Sequence, residues 1–215
     1  MSYYSTKSYR GVFVVLEGID GSGKTTIANM IIKDLSKMGF KTLYTREPTD
    51  SEIVNSVKTT YNDLRDPYVD ALTFALDRLL HVKSRISPAL EQGYIVVCDR
   101  YYYSSVAYQG AMGAPIEWLL EVNKWALQPD IAVYLDIDPV IAIKRKESMT
   151  SRFAEFEKLD ILYRVREIYL KLVDKGLLVL VDASRSISDI YSDVKKLVLE
   201  VIKRKTSPST STSNL

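Results

Sequence analysis

The sequence predicts an α/β fold in which a five-stranded parallel sheet is flanked by helices in three layers. Five short apolar, β-branched runs, at residues 12–16, 42–45, 94–98, 131–135 and 177–181, lack internal polar alternation almost throughout, as strands buried on both faces do. Segments with helical spacing lie between and after them, at 27–38, 68–92, 116–127, 159–175 and 187–203. Gly39, Gly93 and Gly176 follow three of these helices where a left-handed cap is wanted. Strand and helix alternating in this way give parallel strands joined by helical crossovers.

The chain has 215 residues, enough for one substantial core, and the expected domain spans 1–203. The remaining 204–215 are rich in Ser and Thr, interrupted by Pro208, and read as a loose tail with little to bury. Two polar stretches interrupt the alternation, 46–66 and 144–157. Both follow strands on the side where open α/β sheets bind ligands, so both are lid or substrate-loop candidates, with the lid expected at about 144–157.

Basic residues number 29 and acidic ones 27, a formal net charge of +2. No global field argues for nucleic acid or an anionic membrane, and small-molecule partners are expected. Cys98 is the only cysteine; no intramolecular disulfide can form, a reducing compartment fits, and the thiol reads as a small core hydrophobe. No apolar run reaches the roughly 20 residues needed to span a bilayer, and MSYYSTKSYR has no hydrophobic signal segment. A cytoplasmic location without membrane attachment is the expectation.

The chemistry begins with GIDGSGKT at residues 18–25, which matches the phosphate-binding P-loop and lies directly between a predicted strand and a predicted helix. Glycines let backbone N–H groups turn onto phosphate oxygens, and the helix start adds positive dipole. Lys24 would span the terminal phosphates, and the Thr25 hydroxyl would ligate Mg²⁺. Asp99, at the end of another strand, is suited to holding Mg²⁺ through water, and the adjacent Arg100 to facing an anion. A guanine-reading signature is missing: the nearest string to Asn-Lys-x-Asp, at 123–126, ends in Ala126.

Further motifs follow in order: TREP at 45–48, FALDR at 74–78, DRYYYSSVAYQG at 99–110, QPD at 128–130, YLDIDP at 134–139 and DASRSI at 182–187. With EGIDGSGKTT at 17–26, the chain resembles the thymidylate kinase family from Val12 to about Lys203. The resemblance implies a P-loop NTPase fold, a mobile lid, Mg-ATP as donor, dTMP as acceptor and a homodimer; dUMP stands as a rival or additional acceptor. It places Gly18, Ile19, Asp20, Gly21, Ser22, Gly23, Lys24, Thr25 and Thr26 around ATP, with Ser184 and Arg185 passing the adenine.

By the same resemblance Phe74 stacks on thymine and Arg78, four residues on and on the same helical face, donates to its O4. Arg100 grips the dTMP phosphate, with Arg46 as a second clamp. Ser105 lies near the base, Tyr108 excludes a ribose 2′-hydroxyl, Asp20 accepts from the 3′-hydroxyl, and Gln109 touches the nucleotide. Some relatives carry an arginine where this chain has Gly21. The lid must then supply that charge, from Arg145, Lys146 or Arg152, of which Arg152 looks closest to the family's lid arginine. Arg145 is expected at the ATP site as well.

A phosphate oxygen acceptor is already ionised near neutral pH, so no general base is required, and the single histidine, His81, reads as an ordinary helix residue. Two rivals stand beside this reading. A deoxynucleoside kinase would need a base for the sugar hydroxyl, for which Glu47 is available. A noncatalytic ATP switch would need no second nucleotide pocket.

Overall fold

The computed structural model describes residues 9–146 and 152–206, and the side chains of all of these except 146, 152–158 and 206. β1 (Val12–Glu17) leads through the phosphate loop into α1 (Lys24–Lys37), then β2 (Thr42–Arg46) and α2 (Glu52–Thr59). A 3₁₀ turn (Asn62–Leu64) precedes α3 (Pro67–His81), a π turn (Val82–Ile86), α4 (Ser87–Glu91) and β3 (Ile95–Asp99). The remainder runs α5 (Tyr102–Ala111), α6 (Ile116–Val122), β4 (Ile131–Asp136), α7 (Pro139–Lys146), α8 (Arg152–Asp174), β5 (Val179–Asp182) and α9 (Ile187–Thr206).

The five strands form one wholly parallel sheet in the order β2-β3-β1-β4-β5, as the apolar runs predict. β1 occupies the centre, with Leu16 level with Asp99 of β3 and Glu17 level with Tyr134 of β4. Every residue of β1 and β3 is buried, and burying each Leu, Ile or Val side chain contributes about 1.5–3 kcal/mol. Burial on both faces fails at the sheet's edges: β2 is mostly half-buried, and β5 exposes Val179, Leu180 and Asp182. An edge strand has a neighbour on one side only. The chain runs from β1 to β2 on one side and crosses back over β1 to β4 on the other, opening a crevice at the strands' carboxyl ends. α1 packs with α9, and α5 with α8, to cover the sheet.

Several elements differ from the sequence reading. The predicted helix 68–92 runs on unbroken through α3 and α4 but takes a π turn between them, because Pro88 has no N–H to give to the carbonyl of Ser84 and its ring crowds that carbonyl. Helix 116–127 ends at Val122. Within the polar stretch 46–66, Ser51 caps α2 by accepting from Val54 N at 3.4 Å. Asp66 caps α3 through Tyr68 N and Val69 N at 2.8 and 2.7 Å, with Pro67 in its first turn. Helix α7 occupies 139–146 and α8 begins at Arg152, so helix enters both ends of the expected lid. Among the described residues no helix is long and apolar enough to cross a membrane.

Candidate active site

The phosphate loop is shaped by three positive-φ glycines, Gly18, Gly21 and Gly23. A Cβ on Gly21 would lie 2.2 Å from the Ala142 carbonyl oxygen of α7, and φ is +87°. No arginine can stand there without moving α7, which gives Gly21 a steric reason. Lys24 opens α1 with its ammonium buried and bonded to the Ile19 carbonyl at 2.9 Å. Burial, then the nearby Arg100 charge, push its pKa down to about 8, against Asp99, Asp20 and Glu17. Among the described residues the buried Ser22 hydroxyl has no hydrogen-bond partner.

This loop lines a cavity of about 840 Å³ with Gly21, Gly23, Lys24, Thr25 and Thr26 on one wall and Arg145, Arg185, Ser186 and Ile187 on another. Arg145, on α7, donates to the carbonyls of Ala183 and Ser184 at 2.8 and 3.3 Å, joining α7 to the loop after β5. The Ser184 side chain turns back to Asp182 at 2.6 Å, and Arg185 pairs with Asp193 at 2.5 Å. Within the loop, Gly18, Ile19 and Ser22 are themselves buried.

A second cavity of about 480 Å³ opens beside it. Phe74 and Arg78 of α3, Ser105, Tyr108 and Gln109 of α5, and Asp20 and Arg100 all line it, so seven of the eight residues expected around the acceptor converge. Arg46 is the exception. It lines the larger cavity instead, largely exposed and paired with Asp50 at 3.1 Å. Gln109 is buried, and among the described residues its Oε1 has no hydrogen-bond partner.

Arg78 is fixed on three sides: Nε to Glu47 Oε2 at 2.7 Å, Nη1 to Asn123 Oδ1 at 2.5 Å and Nη2 to Ser105 Oγ at 3.2 Å. Its guanidinium also lies 5.4 Å from the centre of the Tyr101 ring. Glu47 Oε1 meets His81 Nδ1 at 3.0 Å, and His81 Nε2 meets Thr45 Oγ1 at 2.7 Å. His81 is therefore part of a buried polar chain that supports Arg78, a role sequence spacing did not suggest. Glu47 has both oxygens engaged and is poorly placed to serve as a free base.

The two cavities share Asp20, Glu47 and Arg100 in their walls. Arg100 donates to Asp20 Oδ1 at 2.5 Å, to Ser104 Oγ at 3.1 Å and to Tyr108 Oη at 3.3 Å, with its guanidinium 5.1 Å from the Tyr108 ring centre. Its φ of 70° is the one positive value among the described non-glycine residues; such a conformation costs about 1–3 kcal/mol and persists only where surrounding contacts hold it.

Thr25 Oγ1 donates to Asp99 Oδ2 at 2.5 Å. A hydroxyl and a carboxylate so close at the mouth of a phosphate loop fit a hydrated divalent cation. Among the described residues no group of three or more His, Cys, Asp or Glu could hold a metal ion, so most ligands would be phosphate oxygens and water. The side chains of Lys146 and Arg152 lie outside the described residues.

Lys58, Arg65 and Asp70 also line the smaller cavity and escaped the sequence reading. Lys58 sits 6.0 Å from the Phe74 ring centre, and Arg65 pairs with Asp70 through two 2.9 Å bonds. For Lys58 and Arg65 the signal was only charge within a polar stretch, and for Asp70 an acidic residue in the first turn of α3.

A phosphate loop at the centre of a parallel sheet, opening on two adjoining cavities bridged by an arginine, defines a P-loop phosphotransferase of the nucleotide kinase class. The thymidylate kinase family model matches residues 16–194. A probable thymidylate kinase from Staphylothermus marinus is 58% identical over 190 residues, covering 88% of this chain and 96% of that protein. Another from Pyrococcus horikoshii is 44% identical over 88% of this chain and 96% of its own length, and one from Pyrobaculum calidifontis 41% over 87% and 95%. The chain belongs to the thymidylate kinase family.

Proposed function

We propose that this enzyme transfers the γ-phosphoryl group of ATP to dTMP, giving ADP and dTDP. The observation that carries the proposal is the pair of cavities meeting at Asp20 and Arg100, one walled by the phosphate loop and the other by the Phe74–Arg78–Ser105–Gln109 set. ATP lies in the larger, its phosphates on residues 18–26 and its base between Arg145 and Arg185. Arg145 spends two donors on backbone carbonyls, which favours a structural part in the donor wall and leaves Arg152 as the lid cation for transfer.

Thymine stacks on Phe74 and meets Arg78, Ser105 and Gln109 at its polar edge. Asp20 accepts from the sugar 3′-hydroxyl, Tyr108 closes the space a 2′-hydroxyl would need, and Arg46 stands at the donor-side rim as a second anion contact. Transfer needs no side chain to remove a proton, because the acceptor oxygen is already ionised. It needs in-line positioning and neutralised charge, from Lys24 on the donor and Arg100 on the acceptor phosphate. Mg²⁺, held near Thr25 and Asp99, would supply further charge neutralisation. The lid around 144–157 would exclude water.

The deoxynucleoside rival loses support because Glu47 is held by Arg78 and His81, and the switch rival because a second nucleotide-sized cavity serves no purpose in it. ADP release measured across dTMP, dUMP, dCMP and thymidine tests the proposal; dTMP should lead, with dUMP weaker. Preference for thymidine, or no turnover of any acceptor despite ATP binding, would overturn it. Lys24→Ala should lower kcat by about 10²–10⁴-fold with the fold intact.

We also propose a homodimer working in the cytoplasm. Tyr68, Leu72, Leu76 and Leu80 stand exposed at four-residue intervals along α3, an apolar stripe of the sort a second copy covers. Sedimentation should give a dimer, and Leu76→Lys should shift it toward monomer; a monomeric wild-type chain refutes this part.

A further inference from the structure

We propose that Glu17 and Tyr169 are positioning residues for phosphoryl transfer, acting through Ser104 on the conformation of Arg100. The inference rests on the role proposed above for Arg100. Glu17 is the last residue of β1 and fully buried, and it lines neither cavity. Four hydrogen bonds converge on its carboxylate. Oε1 accepts from the backbone N–H groups of Tyr101 at 2.8 Å and Ser104 at 3.2 Å; Oε2 accepts from Ser104 Oγ at 2.5 Å and Tyr169 Oη at 2.9 Å.

Two of those donors belong to the start of α5, whose N-cap residue Tyr101 makes no side-chain cap of its own. Glu17 thus caps α5 from a neighbouring strand, taking the Tyr101 N–H and sharing the Ser104 N–H with the Tyr101 carbonyl, which lies 3.1 Å from it. The residue so clamped directly follows Arg100, with its φ of 70°. Arg100 N itself donates to the Leu16 carbonyl at 2.9 Å. The strained turn is held between the end of β1 and the start of α5.

The same node reaches the guanidinium. Ser104 Oγ, whose hydroxyl donates to Glu17, accepts from Arg100 Nη1 at 3.1 Å, and Tyr169 Oη lies 2.9 Å from it. Tyr169 is set by stacking on Tyr134, with ring centres 4.6 Å apart. On the same helix Arg166 grips Asp136 of β4 through two 2.8 Å bonds. A carboxylate, a serine and a tyrosine from β1, α5 and α8 therefore fix the Arg100 side chain from behind, the arrangement by which buried supporting groups pre-organise a site.

A double-mutant cycle in the full chain tests this. Tyr169→Phe and Glu17→Gln are each made alone and with Arg100→Ala, and kcat/KM for dTMP is measured together with thermal unfolding. Alone, Tyr169→Phe should lower kcat/KM about 5- to 20-fold, and Glu17→Gln about 10- to 100-fold. In the Arg100→Ala background either change should alter the residual rate by less than about twofold. Equal losses in both backgrounds, or none in the presence of Arg100, would overturn the inference. Should Glu17→Gln fail to fold, Tyr169→Phe, which removes one oxygen, carries the test. An Arg100→Ala variant with normal turnover would instead remove the role of Arg100, and this inference with it, while the acceptor panel separately reports on the activity.

Discussion

Arg78 and Glu47, thirty-one positions apart in the chain, form an ion pair of 2.7 Å in which the side chains are 3% and 2% exposed. The pair lines the smaller cavity and joins α3 to the segment after β2. Such a pair is held by its remaining hydrogen bonds, here from His81 to Glu47 and from Arg78 to Asn123 and Ser105. Glu47→Ala leaves a buried guanidinium without its counter-charge and should cost about 3–5 kcal/mol of unfolding free energy, together with a rise in KM for dTMP. Urea unfolding and initial rates measure both; a loss below about 1 kcal/mol would contradict the burial argument.

Gly21→Ala should be damaging out of proportion to one methyl group. The new Cβ meets the Ala142 carbonyl oxygen at 2.2 Å in a backbone region that disfavours L side chains. Either the phosphate loop or α7 must shift. The expected result is a loss of at least about 1–3 kcal/mol in stability and a larger proportional fall in kcat than in dTMP affinity. Gly39→Ala, which has positive φ but no atom within 4 Å, supplies the control: strain without collision, and unaltered ATP binding.

Tyr108→Ala should relax the sugar preference. The ring lies against the Arg100 guanidinium and lines the acceptor cavity, so removing it opens space beside the sugar. The ratio of kcat/KM for dTMP over the corresponding ribonucleotide should fall at least about tenfold. An unchanged ratio would move the filter to another residue. Tyr108→Phe, which keeps the ring and loses only the contact to Arg100 Nη2, should retain the ratio.

Stability should carry a pH signature from Glu17. Burial raises its pKa above the ordinary 4.5, outweighing the bonds from Ser104, Tyr169 and Tyr101 and the Arg100 charge, all of which lower it. A folded-state pKa above the unfolded one favours the folded protein while the group is protonated, and that contribution is lost as pH rises through the folded value. Unfolding free energies measured from below pH 4.5 upward should therefore decline less steeply in Glu17→Gln than in the parent chain. Identical slopes would show that the carboxylate titrates normally.

What could be read from the sequence was whatever is local. The five strand runs needed only short-range apolar patterning, and the phosphate loop only eight consecutive residues. Phe74 and Arg78 share a face because a helix repeats every 3.6 residues. Helix α5 was invisible for the opposite reason: seven of its ten residues are buried, so it has no polar face to set a period. The eight-residue α2 buries Val54 alone and offers too little apolar contrast to stand out from its polar stretch.

The sequence by itself determined the sheet, the phosphate-loop motif and, through motif order, most of the residues that come to line the smaller cavity, because each is written in residues close together or in a fixed succession. The tertiary structure alone decided which charges meet. Glu47 with Arg78, Asp20 with Arg100, and Glu17 with Tyr169 are joined across 31, 80 and 152 positions. No local pattern encodes such pairings; they follow from the strand order, which brings the carboxyl ends of β1 and β3 together under α5 and α8.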